Sequence, residues 1–303
     1  AISLDAPIHF RPEQSGRLAL AQWLTSPQHP LTSRVIVNRV WYHLMGQGIV
    51  VSVDNFGIQG DAPTHPELLD TLAVEFVEHR WSLKRLIRQI VLSRTYQMSS
   101  DDVPASRAVD PVNHLHWRAN RRRLPAESIR DSLLHVSHQL DNRVAQSPVE
   151  GLGTLVTQNV ADEKKYDKRE PPYRSLFLPI IRSELPAFMT AFDFADPDLV
   201  VGRRPATNVP AQALLLMNDP FVMQCAEVTA DLVPAAAWDD QIDEAYWRVL
   251  QRSPSVAERE RSLEFLRTAS RKDDDDSSPP DQLPPLAQLV HALMASIEFR
   301  TLE

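Results

Sequence analysis

The 303-residue chain has a formal net charge of −8 at pH 7, with 43% hydrophobic and 24% charged residues. This composition is ordinary for a globular protein with a sizeable core, and the negative charge argues against general binding to nucleic acid or to an anionic membrane. No apolar run approaches the roughly 18 residues that a membrane-spanning helix needs. The single cysteine, Cys225, excludes an intrachain disulfide, and without a C-x-x-C motif the sequence excludes covalent haem attachment and a thiolate zinc site in this chain.

Apolar residues recur at the spacing of amphipathic helices along most of the chain, and the alternation typical of strands is almost absent. The sequence therefore predicts an all-α fold, an irregular multi-helix bundle with long loops and at most one minor strand pair. The best strand candidate is Ser175–Arg182, centred on Leu176–Leu178, with Pro179 keeping it at an edge. The predicted helices, in chain order, are Arg17–Leu24, Thr32–Met45, Glu67–Glu78, Leu83–Tyr96, Pro125–Leu140, Glu184–Phe192, Ala211–Met217, Phe221–Leu232, Asp240–Leu250, Val256–Ala269 and Leu286–Ile297.

Several predicted helix ends carry capping signals. Thr32 or Ser33 is predicted to cap the second helix, and Gly46 is predicted to end it in the left-handed conformation. Thr64 begins the S/T-x-x-E spacing of a capping box before the third helix, and Ser82 can cap the fourth.

Polar or proline-rich stretches at 101–113, 147–172 and 272–285 predict loops between the helices. We find no tandem repeat. The expected organisation is a single helical domain over residues 1–303, and a division into subdomains 1–204 and 205–303 is the alternative.

Nine long motifs occur in a fixed order along the chain. They are SRVIVNRVWYHLMGQGIV, DNFG, PTHPELLD, WSLKRLIRQIVLSRTY, DPVNHLHWRANRRRLPAESIRDSLL, RSLFLPIIR, FDFADPD, RRPATNVPAQALLLMNDPF and ASIEFR. On these motifs the chain resembles, over nearly its whole length, the planctomycete PSD-one domain family, a domain of unknown function numbered 1553. Because no chemistry is established for that family, the resemblance implies a module without naming a reaction.

The resemblance also implies a setting for the module. Such domains usually form the C-terminal part of longer exported proteins, after a cytochrome-c-like domain and another helical domain. We therefore expect an extracytoplasmic location, either periplasmic or secreted, although AISLDAPIHF at the start of the sequence lacks the pattern of a signal peptide. We expect no cofactor in this chain, with haem c in a preceding domain. A structural or interaction module is the favoured function; a haem-linked enzyme acting on an anionic or carbohydrate substrate and a pure ligand-binding module are the alternatives.

The second predicted helix carries the first group of candidate functional residues. Arg34 and Asn38 are four residues apart, as are Arg39 and His43, so each pair shares a helix face. Beside an apolar face, these groups predict either a buried arginine–carboxylate network or a pocket for an anion. We expect Arg34 to be buried and paired with a carboxylate.

A second group surrounds the DNFG motif. Asp54 and Asn55 precede a glycine and favour Asx-type turns, whereas His65 and Glu67 lie at the start of the third helix. A carboxylate and an imidazole beside a glycine-containing loop can form an acid–base site, and the same residues can equally form a turn followed by a helix cap.

A third group combines an arginine run with residues further along the chain. The two interpretations are an ion-pair network and a site for phosphate, sulfate or a carboxylate. The members are Arg121, Arg122, Arg123, Glu127, Arg130, Asp131, Arg203, Arg204, Thr207 and Gln212.

No metal site is predicted, because His114–His116 and His135–His138 are only the closest pairs among scattered histidines. Cys225 lies on an apolar helix face and is predicted to be a core residue. One hypothesis joins two of the groups: Asp54, His65 and the Arg121–Arg123 run line a polar cleft that recognises an anion.

Overall fold

The computed structural model describes residues 15–143, 172–178, 180, 185–273 and 283–302. These residues form twelve α-helices and one two-stranded antiparallel sheet, which confirms the predicted all-α fold. The predicted loops at 147–172 and 272–285 fall mostly outside the described residues. The helices are α1 Arg17–Leu24, α2 Thr32–Met45, α3 Pro66–Glu78, α4 Leu83–Val91, α5 Pro104–Val109, α6 Ala126–Val136, α7 Ala187–Ala191, α8 Pro210–Asn218, α9 Pro220–Asp231, α10 Trp238–Leu250, α11 Val256–Asp273 and α12 Pro285–Met294.

The strand pair lies elsewhere than predicted. β1 is Arg122–Arg123 and β2 is Thr301–Leu302, whereas Ser175–Phe177 in the predicted strand forms a 3-10 turn. The physical reason is that the backbone N–H of Ser175 donates to the Asp131 carboxylate at 2.8 Å and is not available to a neighbouring strand.

The chain divides into two compact units. Unit 1 comprises Ala1–Arg122, Val201–Arg203 and Glu303, and unit 2 comprises Arg123–Val200 and Arg204–Leu302. The division between residues 204 and 205 stays a prediction.

In unit 1, the apolar face of α2 packs against α3 and α4. Val37 and Trp41 of α2 and Leu72 and Phe76 of α3 are buried and belong to the same core cluster. Each helix therefore contributes one apolar stripe to a shared core, as the helical spacing in the sequence indicates.

In unit 2, the core centres on the packing of α9 against α12, with α6, α7 and α10 around it. Cys225 of α9 has no solvent exposure, which confirms the prediction that it is a core residue. Burial raises the pKa of its thiol to about 11, so the sulfur is protonated at neutral pH.

Two of the predicted helix caps are confirmed. Gly46 ends α2 with a φ of 80°, in the left-handed region where a side chain would be strained. Ser82 caps α4, its side chain accepting the N–H of Arg85 at 3.4 Å.

The other two predicted caps are wrong. At the start of α2, Nδ1 of His29 accepts hydrogen bonds from the N–H groups of Leu31 and Thr32 at 3.3 and 3.1 Å. The His29 side chain therefore caps the helix in place of Thr32 or Ser33. Thr64 does not cap α3, because His65 occupies the N-cap position; the Thr64 hydroxyl donates instead to the Ile49 carbonyl at 3.1 Å.

One predicted loop contains a helix. The 101–113 segment includes α5, which begins at Pro104. Proline at the first helical position loses no hydrogen bond, because that N–H has no partner inside a helix. The C-cap residue of this helix is Asp110. Its carboxylate accepts hydrogen bonds from the N–H groups of His114 and Leu115.

Candidate functional site

The Asn38 side chain fixes the loop that follows α2. Its amide donates to the Val50 carbonyl at 3.0 Å and accepts the Val50 N–H at 2.8 Å, and the residue is fully buried. A Cβ on Gly48 would lie 2.4 Å from the Val50 carbonyl oxygen and 2.9 Å from the Asn38 amide nitrogen, so only glycine fits there. Asn38 therefore shapes the backbone, and its complete burial keeps the side chain away from a ligand in solvent.

The Asp54 carboxylate joins the DNFG loop to the separate 201–203 segment of unit 1. Oδ1 accepts the Gly202 N–H at 2.6 Å and lies 3.5 Å from a guanidinium nitrogen of Arg39. The Asn55 side chain accepts the Gly57 N–H at 3.1 Å, which is the predicted Asx turn. These contacts account for the DNFG motif as a structural turn.

Arg34 forms the predicted carboxylate pair, but it is not buried. Its Nε donates to Oδ1 of Asp70 at 2.6 Å, and its Nη1 donates to the Pro30 carbonyl at 2.7 Å. The side chains are 34% and 54% exposed, because the buried stripe of α2 passes through Ser33, Val37 and Trp41 instead. The hydrogen bond from Arg34 lowers the pKa of Asp70.

Two histidines of unit 1 lie close together beside Trp41. The rings of His65 and His116 are 5.9 Å apart, and the indole N–H of Trp41 donates to Nε2 of His116 at 3.4 Å. His116 is only 6% exposed, and its pKa is lowered to about 4, chiefly by burial and then by the neighbouring His65. Since Nε2 accepts, Nδ1 carries the proton, and it has no hydrogen-bond partner within the described parts of the chain.

The loop that presents His116 is held by its own polar groups. The Asp110 carboxylate accepts N–H groups of Leu115 at 2.7 Å and His114 at 3.0 Å, and the first of these bonds is the main cause of its lowered pKa. The indole of Trp117 donates to the Asp110 carbonyl at 2.8 Å. The described residues contain no group of three side chains able to hold a metal ion.

The remaining candidates of unit 1 lie at its surface or cap α2. Arg122 donates to the His43 carbonyl, and Asn120 donates to the Met45 carbonyl at 3.1 Å, so both satisfy the open C-terminal carbonyls of that helix. Four of these candidates are exposed: His43, Glu67, Arg121 and Arg203.

Unit 2 contains a polar network around Asp193, a largely shielded residue that sequence reasoning did not select. Nη2 of Arg123 donates to Oδ2 of Asp193 at 2.7 Å, and both side chains are 14% exposed. Thr207 donates to the same carboxylate from its N–H at 2.8 Å and from its hydroxyl at 2.9 Å. Gln212 completes the network by donating to the Thr207 carbonyl at 3.1 Å.

A second arginine sits next to this network. Arg300 is 7% exposed, and its pKa is lowered by burial and by the positive charge of Arg123. Burial also raises the pKa of Asp193, but hydrogen bonds from Thr207 and Arg123 outweigh it, so the net shift is downward. Asp193 is thus the carboxylate that balances the charge of Arg123 in this network.

The other candidates of unit 2 form two smaller groups. Arg204 donates to Oε1 of Glu127 at 2.7 Å. Arg130 is 1% exposed and donates to the Tyr173 carbonyl at 2.9 Å, and Asp131 accepts the N–H and the hydroxyl of Ser175 at 2.8 and 2.7 Å. The sequence did not reveal these partners, because Ser175 is 44 residues from Asp131.

Beside this last group, unit 2 contains a cavity of about 650 Å³. Its walls come from one face of α6 and the residues after it, from Arg174, from the C-terminal end of α10 and from Phe299. That volume is within the range of pockets that bind small molecules.

The structure therefore groups the candidate residues by unit. In unit 1, Asp54 and His65 contact different partners, and the hypothesis that they share a cleft with Arg121–Arg123 stays a prediction. The residues that sequence reasoning missed are His116, Asp193 and Arg300. These residues lie in the HLHW, FDFADPD and ASIEFR motifs, which contributed to the family resemblance. The motifs alone did not indicate which residues elsewhere in the chain these side chains contact.

A comparison with known families gives one match. The family model PSD1, described as a protein of unknown function (DUF1553), matches residues 16–266, which is more than half of the chain. No match was found among curated proteins or among solved structures. Within the described residues, no helix combines the length and apolar character required to cross a membrane.

Proposed function

Because the chain belongs to the PSD1 family, the domain of unknown function DUF1553, we propose that it is a helical structural and interaction module of an exported, planctomycete-type multidomain protein. Its partners are a preceding cytochrome-c-like domain, which carries haem c, and an adjoining helical domain of the same polypeptide. The location is extracytoplasmic.

One observation carries the structural part of this proposal: most of the candidate polar side chains bind one another or the backbone. Arg34 binds Asp70, Arg123 binds Asp193, and Arg204 binds Glu127. A catalytic site needs reactive groups held free for a substrate, whereas these groups hold helices and loops together.

The interaction part is supported by α1. None of its residues is buried, and Leu18, Leu20 and Leu24 are 69%, 52% and 38% exposed. Leu20 and Leu24 are four residues apart and share one face of the helix, which is the spacing expected of an apolar surface that another domain covers.

The residues of this chain do not fit a covalently attached haem. Attachment of haem c requires two reactive thiols close together, and the only sulfhydryl, Cys225, is protonated in the core of unit 2. Haem chemistry in the full protein is therefore assigned to the preceding domain.

An anion titration tests the structural role. We expect sulfate and phosphate to leave the melting temperature of the purified chain unchanged beyond a sodium chloride control at equal ionic strength, because the candidate arginines Arg34, Arg122, Arg123 and Arg204 already donate to groups of the chain. A saturable rise in melting temperature that disappears in Arg122→Ala would show that the arginine run holds an anion, and the structural proposal would then be wrong.

Hydrogen exchange tests the interaction role. Amide protons of α1 are expected to exchange more slowly in the full-length polypeptide than in the isolated chain, because the preceding domain covers the exposed leucines. The matched control is α5, another short helix of unit 1 without buried residues. Equal exchange of α1 in both proteins would remove α1 from the proposed interface.

A further inference from the structure

We propose that the cavity in unit 2 is a binding site for a small, multiply hydroxylated carboxylate of the size and chemistry of a hexuronate. This inference is independent of the interaction role, which concerns the surface of the module. It rests on three features of the cavity wall: the positive charge of its arginines, its polar side chains without a hydrogen-bond partner in the described residues, and its apolar side chains.

The positive charge in the wall comes from Arg248 and Arg174. Nε of Arg248 lies 2.7 Å from a Glu244 carboxylate oxygen, one turn earlier on α10. Within the described residues, no hydrogen bond engages the two terminal nitrogens of Arg248, so that end of the guanidinium can form the paired hydrogen bonds that a carboxylate accepts. The side chain is 24% exposed, so the bond would be partly shielded from water.

Hydroxyl-binding groups line another wall of the same cavity. Ser128, Ser132 and His135 follow one another at four- and three-residue spacing, so they lie on one face of α6. No hydrogen bond from another described residue reaches these three side chains. Polar side chains that are unengaged in the protein and face a cavity are available to a ligand with several hydroxyl groups.

The Asp131 carboxylate is expected to orient the bound ligand. Oδ1 of Asp131 is held by Ser175, whereas Oδ2 lies 3.8 Å from Nε of Arg174, which is beyond hydrogen-bond distance. This second oxygen can accept a hydrogen bond from a ligand hydroxyl, and its negative charge repels the acidic group of the ligand. The carboxylate of the ligand is therefore expected at Arg248 and a hydroxyl at Asp131.

The apolar part of the wall completes the fit. Phe299, Leu140 and Val249 contribute carbon surface to the cavity. A sugar ring offers C–H surface to such a wall, and inorganic phosphate or sulfate offers none. Because Glu244 lies beside Arg248 and Asp131 lies beside Arg174, the site disfavours a doubly charged anion.

Isothermal titration of the full chain with D-glucuronate tests the proposal, with D-glucose and inorganic phosphate as comparison ligands. We expect saturable binding of glucuronate at one site per chain and at least tenfold weaker binding of glucose and phosphate. In Arg248→Gln, which removes the charged donor but keeps most of the side chain, glucuronate affinity should fall about ten- to a hundredfold.

The matched control is Arg259→Gln. Arg259 also pairs with a carboxylate of α10, Asp243, and is 31% exposed, but it does not line the cavity. Wild-type affinity in this variant, together with an unchanged circular dichroism spectrum in both variants, supports the proposal. Should Arg248→Gln fail to fold, Ser132→Ala provides a second variant, and it is expected to weaken glucuronate binding severalfold.

Three outcomes would overturn the proposal. Glucuronate shows no saturable binding, or it binds equally well to the wild type and to folded cavity variants, or phosphate binds as tightly as glucuronate and depends on Arg248 in the same way. In the last case the cavity is a general anion site without selectivity for hydroxyl groups.

Discussion

Two arginine–carboxylate pairs, one in each unit, have nearly the same donor–acceptor distance and different surroundings. The donor–acceptor distance is 2.6 Å in Arg34–Asp70 and 2.7 Å in Arg123–Asp193. In the first pair the side chains are 34% and 54% exposed, and in the second both are 14% exposed. Water can replace either partner of the first pair, whereas it reaches the second pair poorly.

The difference shows that a short donor–acceptor distance does not by itself indicate how much an ion pair contributes to the free energy of unfolding. Asp193 also binds Thr207 and balances the charge of Arg123 beside the buried Arg300. Losing one member of that group leaves a charge without a counterpart in a poorly hydrated place, and losing Asp70 leaves an arginine that solvent can hydrate.

The largest expected effect comes from Asp193→Asn. This change keeps the size of the side chain, and asparagine tolerates the φ of 58° at this position, but it removes the negative charge that pairs with Arg123. We expect the free energy of unfolding to fall by about 3–5 kcal/mol, measured by urea denaturation.

Asp70→Asn is the matched change in the exposed pair, and it should lower the free energy of unfolding by less than about 1 kcal/mol. Equal losses in the two variants would contradict the contrast between the pairs.

The pH dependence of the free energy of unfolding provides a second test of how burial affects a polar group. The folded pKa of His116, about 4, lies below its ordinary value of 6.5, so the unfolded chain binds this proton more readily than the folded chain. The stability associated with neutral His116 is complete above pH 6.5 and is lost as the pH falls towards 4, by about 3 kcal/mol in total.

The measurement is the free energy of unfolding against pH for the wild type and for His116→Gln, whose amide oxygen can still accept the Trp41 N–H. We expect the variant to lose part of the slope between pH 4 and 6.5. The contribution of Asp193, whose pKa is lowered, persists above its ordinary value of 3.8 and is lost only at lower pH. Identical slopes in both proteins would mean that His116 is not buried as a neutral ring.

The smallest expected effect is the coupling within the exposed pair. A double-mutant cycle with Arg34→Ala and Asp70→Ala should give a coupling energy of about 0.2–1 kcal/mol, reduced further in 1 M salt. A coupling of several kcal/mol would place the pair in an environment that excludes water, against its observed exposure.

The sequence predicted the helices well because each one carries its own pattern. The stripe of Val37 and Trp41, the left-handed Gly46 and the Ser82 cap depend on residues a few positions apart. It also predicted a carboxylate partner for Arg34, although not the exposure of the pair.

The partners in unit 2 depend on distances along the chain that no local pattern records. Asp193 is 70 residues from Arg123, and the cavity is formed by α6, the end of α10 and Phe299. The strand prediction near Leu176–Leu178 was wrong for the same reason, because Asp131 captures the Ser175 N–H from another part of the sequence.

The single thiol of Cys225 also allows the rate at which the core of unit 2 opens to be measured. A sulfhydryl with no exposure and a pKa of about 11 cannot react with a maleimide or with Ellman's reagent until α9 separates from its neighbours. With one cysteine in the sequence, every labelling event reports that single opening. The labelling half-time of the unmodified protein therefore records how often its interior opens, without an engineered probe.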